Sequence, residues 1–291
     1  MTARNDGIRT SRRVDMTTSS TAPAGRIQAR RARGSVMEGA ARAGFTARGV
    51  IYLLVGVLAL QIAFGDSKRQ ADRGGALAAL ADKPFGSVVL WALGIGLVGM
   101  ALWRLSEVVF GAVGPDGDKA TKRLLSAARC VFYGFVAYSV LSFAAGSGSG
   151  GSSDKQSKDV TARVLEWPGG QWLVGAAGIG VAVAGVWIAF QALRRSFHDK
   201  LKLGEMSPRV RKLVDVTGVG GGVARGAVFT VAGAFAVRAA VDYEPKKTKG
   251  LDDTLRSFAD TPLGPWLLVL IAAGFVLFGV FSFAMARWRR V

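Results

Sequence analysis

The sequence has few of the residues that enzymes use for chemistry. It contains one cysteine, Cys130, and one histidine, His198, among 291 residues. A single cysteine excludes a disulfide within the chain, and a single histidine without a nearby second ligand does not make a zinc site. The chain also lacks a P-loop, an H-E-x-x-H pair and a G-x-S-x-G turn. We therefore predict that it is not an enzyme, that it binds no cofactor or metal, and that His198 is a solvated loop residue.

Charge is absent from long stretches of the chain. Half of the residues are hydrophobic, and the mean hydropathy is +0.31. The apolar runs are continuous and about 20 residues long, which an α-helix needs to cross ~30 Å of hydrocarbon, whereas the strands of a membrane barrel alternate and are shorter. The pattern predicts an all-α membrane protein with six transmembrane helices, at about 46–65, 86–110, 128–146, 170–193, 223–241 and 264–286.

Negative charge is scarce, and the excess positive charge lies on one side of the predicted helices. The net charge is +18, yet the three loops on the other side sum to zero, with +1 for 66–85, 0 for 147–169 and −1 for 242–263. Lys and Arg in short segments mark the cytoplasmic side of a membrane. We therefore expect a multi-pass protein of the plasma membrane with both termini cytoplasmic. Its expected partners are the lipid bilayer, with anionic headgroups at the basic side, and an unidentified protein, but no nucleic acid.

The first 40 residues differ in composition from the rest. They are rich in Arg, Ser, Thr, Ala and Gly and have few large apolar residues. Such a segment cannot bury enough apolar surface to offset the entropy lost on folding. We expect 1–40 to be a disordered, basic cytoplasmic tail.

One motif occurs three times. At the start of the first, third and fifth apolar runs, an arginine lies between an alanine and a small residue, and an aromatic residue stands four positions later. Such an arginine can extend its apolar stem along the helix and reach the headgroups with its charge, while the aromatic ring packs on the stem. Cys130 takes the small position in the second copy, so we interpret it as a packing residue. The motif residues are Arg48 and Tyr52, Arg129 and Tyr133, and Arg225 and Phe229.

A second motif follows the first at a nearly constant distance. A proline stands two residues before a glycine, 36, 39 and 37 residues after the repeat arginine. Proline suits the beginning of a helix, where its missing N–H would have no partner. A short apolar–polar segment precedes each proline and predicts a helix of one to two turns on the outer surface. The residues of this motif are Pro84 and Gly86, Pro168 and Gly170, and Pro262 and Gly264.

Together the two motifs predict three tandem helical hairpins with a pseudo-threefold repeat. A Gly/Ser stretch at 146–157 is predicted to be a flexible insertion in the second hairpin. Arg104 and Glu107, three residues apart on the second helix, are interpreted as a local ion pair. The three repeats cover 41–113, 122–197 and 218–291.

One set of polar residues at equivalent positions is a candidate site. Thirteen residues after the repeat arginines stand Gln61, Ser142 and Arg238. If the three helices face one axis, these side chains would form a polar ring that lines an anion-attracting outer vestibule, since a charge at membrane depth is a functional hypothesis by default. The alternative is that Arg238 extends to the outer headgroups and pairs with Asp242 one turn on.

The motifs resemble a family known as domain of unknown function 1206, multi-pass membrane proteins of high-GC bacteria. The matching stretches are "ARGVIY" at 47–52 and "KPFGSVVLWALGIGLVGMALWR" at 83–104. Copies two and three are more degenerate, because the Trp-Arg pair is replaced by Trp187-Ile188 and Phe281-Ser282. The resemblance covers roughly 40–290 and implies a triplicated two-helix membrane fold, but it implies no catalytic residue.

Three classes of function remain after these observations. An intramembrane enzyme would need clustered nucleophiles or metal ligands, which the sequence does not offer. We expect a structural or interaction protein with a scaffold or regulatory role, and the alternative is a small transporter or channel with a path along the pseudo-threefold axis. A hydrated polar cavity would favour transport, and a sealed core of small residues would favour interaction.

Overall fold

A computed structural model describes residues 24–64, 70–111, 119–146, 153–259 and 264–290, with the backbone alone for 24–34, 258 and 259. Within these ranges the protein is helical and has no strands. Six helices are long and apolar enough to cross a membrane, which confirms the predicted all-α membrane fold. The helices are α1 Ala24–Ala63, α2 Arg73–Ala81, α3 Gly86–Phe110, α4 Ala120–Ala144, α5 Ser153–Leu165, α6 Gly170–Leu193, α7 Pro208–Val241, α8 Leu251–Ala259 and α9 Gly264–Trp288.

The spanning helices follow the apolar runs, but three of them begin earlier than predicted. Helices α3 and α6 coincide with the predicted segments, whereas α1, α4 and α7 start before them. Hydropathy marks only the part of a helix inside the bilayer, and a helix can continue into water with charged side chains. Consequently α1 already begins at Ala24, within the tail predicted to be disordered, and residues 1–23 lie outside the described part.

The six spanning helices form a ring in chain order around a common axis. The even-numbered span of each repeat packs against the first span of the next, so that α3 contacts α4, α6 contacts α7, and α9 contacts α1. Within the first and third repeats, α1 also contacts α3, and α7 contacts α9. In the second repeat α4 and α6 make no comparable contact in the described residues. The ring therefore has one open seam, between α4 and α6.

The contacts between repeats use the small residue beside each arginine. A Cβ added to Gly226 would lie 2.6 Å from the carbonyl oxygen of Gly185, and one added to Gly49 would lie 3.1 Å from that of Gly279. Cys130 occupies the same place, because its Sγ lies 3.4 Å from the carbonyl oxygen of Ala101. This confirms that Cys130 is a packing residue. The three carbonyl groups each belong to the residue fifteen positions after the glycine that begins its helix, namely Ala101, Gly185 and Gly279.

In the first and second repeats the second motif forms the turn between the short helix and the following span. A Cβ on Gly86 would lie 2.2 Å from the carbonyl oxygen of Leu80, and one on Gly170 would lie 1.8 Å from that of Val164. Only glycine leaves room for these carbonyl groups at the end of the short helix. The three predicted short helices are confirmed as α2, α5 and α8, although α5 has 13 residues.

Two predictions about this region need comment. Helix α5 begins at Ser153, so the second half of the stretch 146–157 is helical rather than a flexible insertion. Pro262 lies outside the described residues, while Gly264 begins α9 as predicted.

Candidate ligand-binding cavity

A cavity of about 730 Å³ lies inside the ring, and all six spanning helices contribute to its lining. The first spans of the three repeats contribute the residues three, four and seven positions after the repeat arginine. These positions share one face of a helix, so the same face of α1, α4 and α7 points to the axis. The nine residues are Ile51, Tyr52, Val55, Phe132, Tyr133, Val136, Val228, Phe229 and Ala232.

Two of the repeat arginines line the cavity at the end that carries the basic links and both termini, which we call the basic end. The guanidinium groups of Arg48 and Arg225 lie 5.0 and 5.1 Å from the centre of the Phe278 ring. Arg48 donates from Nε to Ser282 Oγ at 3.1 Å and shares a side-chain hydrogen bond with Tyr133. Both cations are thus held by aromatic rings and neutral polar groups.

Arg225 has one donor without a partner. Its guanidinium lies 5.3 Å from the centre of the Phe229 ring, the aromatic residue four positions on, as the motif predicted. Its Nε is buried and makes no hydrogen bond within the described structure. A buried donor without a partner costs about 1–3 kcal/mol. The Nε of Arg225 therefore carries the desolvation cost of a donor that no group in the described structure satisfies.

Two of the repeat arginines face the interior of the helix ring, whereas the sequence interpretation directed them to the headgroups. Arg48 stands 15 residues before the last residue of α1, and Arg225 stands 16 before that of α7. At 1.5 Å per residue these are distances of about 22 and 24 Å along helices that cross ~30 Å of hydrocarbon. Inside the helix ring the two charges contact aromatic rings, and Arg48 also contacts Ser282.

The third arginine, Arg129, does not line the cavity. Its side chain is exposed and lies within electrostatic range of Arg225, Arg104 and Glu107. The predicted local pair is confirmed, since Arg104 Nη1 lies 2.6 Å from Glu107 Oε2. Ser126 of α4 donates to the same carboxylate oxygen at 2.9 Å. Arg104, Glu107 and Ser126 thus form a buried polar cluster between α3 and α4, and Arg129 lies within electrostatic range of it.

The opposite end of the cavity is covered by the short helices and by the segment before α8. Arg73 and Lys249 contribute two more basic side chains there. Burial lowers the pKa of Arg73, while the neighbouring Asp72 raises it. Thr161 of α5 and Thr248 lie against each other with 3.2 Å between their hydroxyl oxygens. Basic groups therefore stand at both ends of a cavity whose middle is apolar.

The open seam between α4 and α6 gives this cavity a lateral mouth. Cavity-lining side chains on both flanks are exposed, including 58% of Phe132 on α4 and 55% of Leu173 on α6. In a membrane protein such apolar exposure faces lipid tails. The cavity therefore opens at the depth of the bilayer, toward hydrocarbon.

The predicted polar ring does not form a site in the structure. Gln61 is exposed, Ser142 is half-buried, and neither lines the cavity. The Arg238 side chain is 71% exposed, and its Nε lies 3.6 Å from Asp242 Oδ2. The structure agrees with the alternative interpretation, in which the arginine extends outward and pairs with Asp242. The residue thirteen positions after each repeat arginine does not lie on the helix face that points to the axis.

The histidine prediction also needs correction. His198 is partly buried, and its Nε2 forms a short contact with the carboxylate of Asp215. The ring also packs edge-on against Phe197. It is a paired residue of the link between α6 and α7 rather than a solvated one.

Sequence reasoning missed the residues that receive the arginines. Phe278 stands fourteen residues after Gly264, where the other repeats have Met100 and Ala184, so no repeat signal marked it. Ser282 occupies the place of Arg104 and Ile188. Both belong to positions where the three copies differ, and only the fold brings them to the axis.

Comparison with known proteins agrees with the repeat. The sequence model of the Domain of Unknown Function (DUF1206) matches three times, at residues 43–111, 125–195 and 220–289. A protein of Bacillus subtilis (strain 168), described as "Uncharacterized protein YxxB", is 31% identical over 243 residues, covering 83% of this chain and 87% of the relative. No solved structure matches the chain. The chain belongs to the DUF1206 family, whose three copies form its membrane-spanning ring.

Proposed function

We propose that this protein binds an anionic lipid of the bacterial plasma membrane in its central cavity, without enzymatic chemistry and with both termini cytoplasmic. The observation that carries the proposal is the placement of Arg48 and Arg225 in an apolar cavity that opens sideways toward the bilayer. The orientation is supported by the excess of Lys and Arg in the links at the basic end.

The charge of the cavity favours an anion. Within the described residues no carboxylate pairs with Arg48 or Arg225, although a charge at membrane depth is usually paired. Guanidinium groups match phosphate oxygens in geometry and form charge-assisted hydrogen bonds with them. A phosphate at the basic end would offset the two like charges of Arg48 and Arg225.

The lining and the mouth favour a lipid over a soluble anion. The walls between the two basic ends are aliphatic and aromatic, and the volume of about 730 Å³ is within the range of small-molecule pockets. A soluble anion would gain nothing from these walls, whereas acyl chains would bury apolar surface against them. The lateral mouth would let a headgroup reach the arginines while the chains remain in the hydrocarbon layer.

The proposal is tested by measuring the lipids that copurify with the protein in a mild detergent, using native mass spectrometry. We expect the wild type to retain about one phospholipid per chain and the double variant Arg48→Gln/Arg225→Gln to lose most of it. Arg238→Gln is the matched control, because that arginine is exposed and outside the cavity. Equal lipid content in all three folded proteins would contradict the proposal.

A second pair of variants tests the cavity without changing charge. Ala177 lines the cavity, while its neighbour Ala176 is exposed and does not line it. Ala177→Trp should displace the lipid, and Ala176→Trp should leave it bound, with thermal unfolding used to confirm that both variants fold. Retention of lipid by Ala177→Trp would place the ligand elsewhere.

Lipid binding fits the interaction and regulatory class expected from the sequence. One observation favours the alternative of transport, since the cavity lies on the pseudo-threefold axis and has basic residues at both ends. Anion flux into vesicles that contain the purified protein separates the two. Flux that is lost in Arg48→Gln/Arg225→Gln would support transport, and absence of flux together with bound lipid would support binding alone.

A further inference from the structure

Three aspartates from two short helices meet at the end of the molecule opposite the basic end. Asp154 lies in the first turn of α5, and Asp252 and Asp253 lie in the first turn of α8. One carboxylate oxygen of each lies within 4.8 Å of one oxygen of each of the others. The cluster therefore joins the second repeat to the third.

Two of these carboxylates already have cationic partners. Lys158 Nζ lies 2.6 Å from Asp253 Oδ2, and Arg256 Nε lies 2.8 Å from Asp252 Oδ2. Asp252 also accepts a hydrogen bond from the Ala71 backbone N–H at 2.7 Å through Oδ1. Their charges and several of their oxygens are thus satisfied inside the protein.

Asp154 is different from its two neighbours. It is 95% buried, with 5% of its surface exposed. Its Oδ1 accepts a hydrogen bond from the Asp253 backbone N–H at 3.1 Å, while its Oδ2 is buried and has no hydrogen-bond partner in the described structure. No basic side chain pairs with it in that part of the chain. Burial, together with the nearby Asp253, raises the pKa of Asp154 to about 6.

A buried carboxylate with an unpartnered oxygen, close to two further carboxylates, is suited to a cation. Ca²⁺ binds oxygen ligands at about 2.3–2.6 Å, so two oxygens on opposite sides of the ion stand about 4.6–5.2 Å apart. The separations in the cluster lie within this limit. Mg²⁺ requires distances of about 2.0–2.1 Å and retains its water molecules, so it suits the cluster less well.

We propose that Asp154, Asp252 and Asp253 bind one divalent cation of the size of calcium. The ion would supply the missing partner of Asp154 Oδ2 and hold the beginning of α5 against the beginning of α8. Both segments continue into residues that cover the cavity, Thr161 on α5 and Leu251 on α8. The cation would therefore fix the cover of the cavity, whether or not a lipid occupies it.

The test uses the full-length protein, stripped with a chelator and titrated with calcium chloride at pH 8. We expect one calcium ion per chain by equilibrium dialysis and a rise of several degrees in the Tm of thermal unfolding, with a smaller rise for magnesium chloride. Asp154→Asn should abolish both effects. Asp159→Asn is the matched control, because Asp159 is exposed on the same helix and outside the cluster.

Two results would overturn the proposal. One is the absence of calcium binding and of a Tm shift in the wild type, which would leave Asp154 as a buried group without a metal. The other is an equal shift in the wild type and in Asp154→Asn, which would place the ion elsewhere. If Asp154→Asn does not fold, Asp253→Asn provides the same comparison, because Asp253 is only partly buried.

Discussion

At the scale of single residues, one motif serves two purposes in this protein. The small residue beside each repeat arginine brings two helix backbones together, and it does so in all three copies. Whether the arginine has a side-chain hydrogen-bond acceptor depends on the residue that faces it. Arg48 donates a hydrogen bond to Ser282. The equivalent position in the repeat beside Arg225 is Ile188, whose side chain offers no acceptor. This difference leaves Arg225 Nε without a hydrogen-bond partner in the described structure.

A pair of glycine variants tests the close approach at the turns. Gly170→Ala would place a Cβ 1.8 Å from the Val164 carbonyl oxygen, and overpacking of this kind costs about 1–3 kcal/mol. Gly180→Ala is the control on the same helix, because nothing lies within 4 Å of its added Cβ. We expect a lower Tm for the first variant and an unchanged or higher Tm for the second. An equal Tm for both would contradict the described turn.

Single residues also show how much of the candidate site could be predicted from the sequence. The register of the motifs singled out Arg48, Arg225 and Cys130, because repetition separates a constrained position from a chance one. It could not show that the two arginines point to the axis, since the same residues would serve as headgroup anchors in an isolated helix. That distinction depends on Phe278, which comes from a distant part of the chain.

At the scale of helices, the strongest association is between repeats rather than within them. Each repeat presents its second span to the first span of the next, and a glycine or cysteine lies at each of these contacts. Close backbone approach through small residues is the usual basis of helix association in lipid. The hairpin is thus the unit that repeats in the sequence, while the closest packing joins helices from neighbouring repeats.

The buried cluster between α3 and α4 permits a prediction at this scale. Glu107 accepts from Arg104 and from Ser126, so Glu107→Gln would leave the buried Arg104 without its counter-charge. Breaking a buried ion pair costs about 3–5 kcal/mol, and we expect a large fall in Tm. Asp242→Asn, which removes a carboxylate paired at the protein surface, should change the Tm little. Similar Tm values for the two variants would show that the cluster does not join the helices.

At the scale of the whole molecule, the pseudo-threefold ring of spanning helices has one gap in the part of the chain that the structure describes. The seam between α4 and α6 lies inside the second repeat, whose short helix α5, with 13 residues, is longer than α2 and α8. The sequence showed three similar hairpins and an insertion in the second, which together predict the ring of helices. It could not predict a lateral mouth, because contact between α4 and α6 depends on how the whole ring closes.

Orientation in the membrane is open to direct measurement. With Cys130 replaced by Gly, single cysteines at Lys155 and Asp199 lie at opposite ends of the spanning helices. A membrane-impermeant maleimide should label Lys155→Cys in intact cells and Asp199→Cys only after permeabilisation, because the proposed orientation places the basic links in the cytoplasm. The reverse labelling would contradict the proposed orientation.

The central claim is that the repeated helices enclose a cavity whose arginines bind a lipid phosphate. An electron cryo-microscopy map of the protein in lipid nanodiscs tests it most directly. The account predicts elongated density that enters between α4 and α6 and ends within hydrogen-bonding distance of Arg48 and Arg225. A closed seam, or a cavity without such density beside these two side chains, would contradict it.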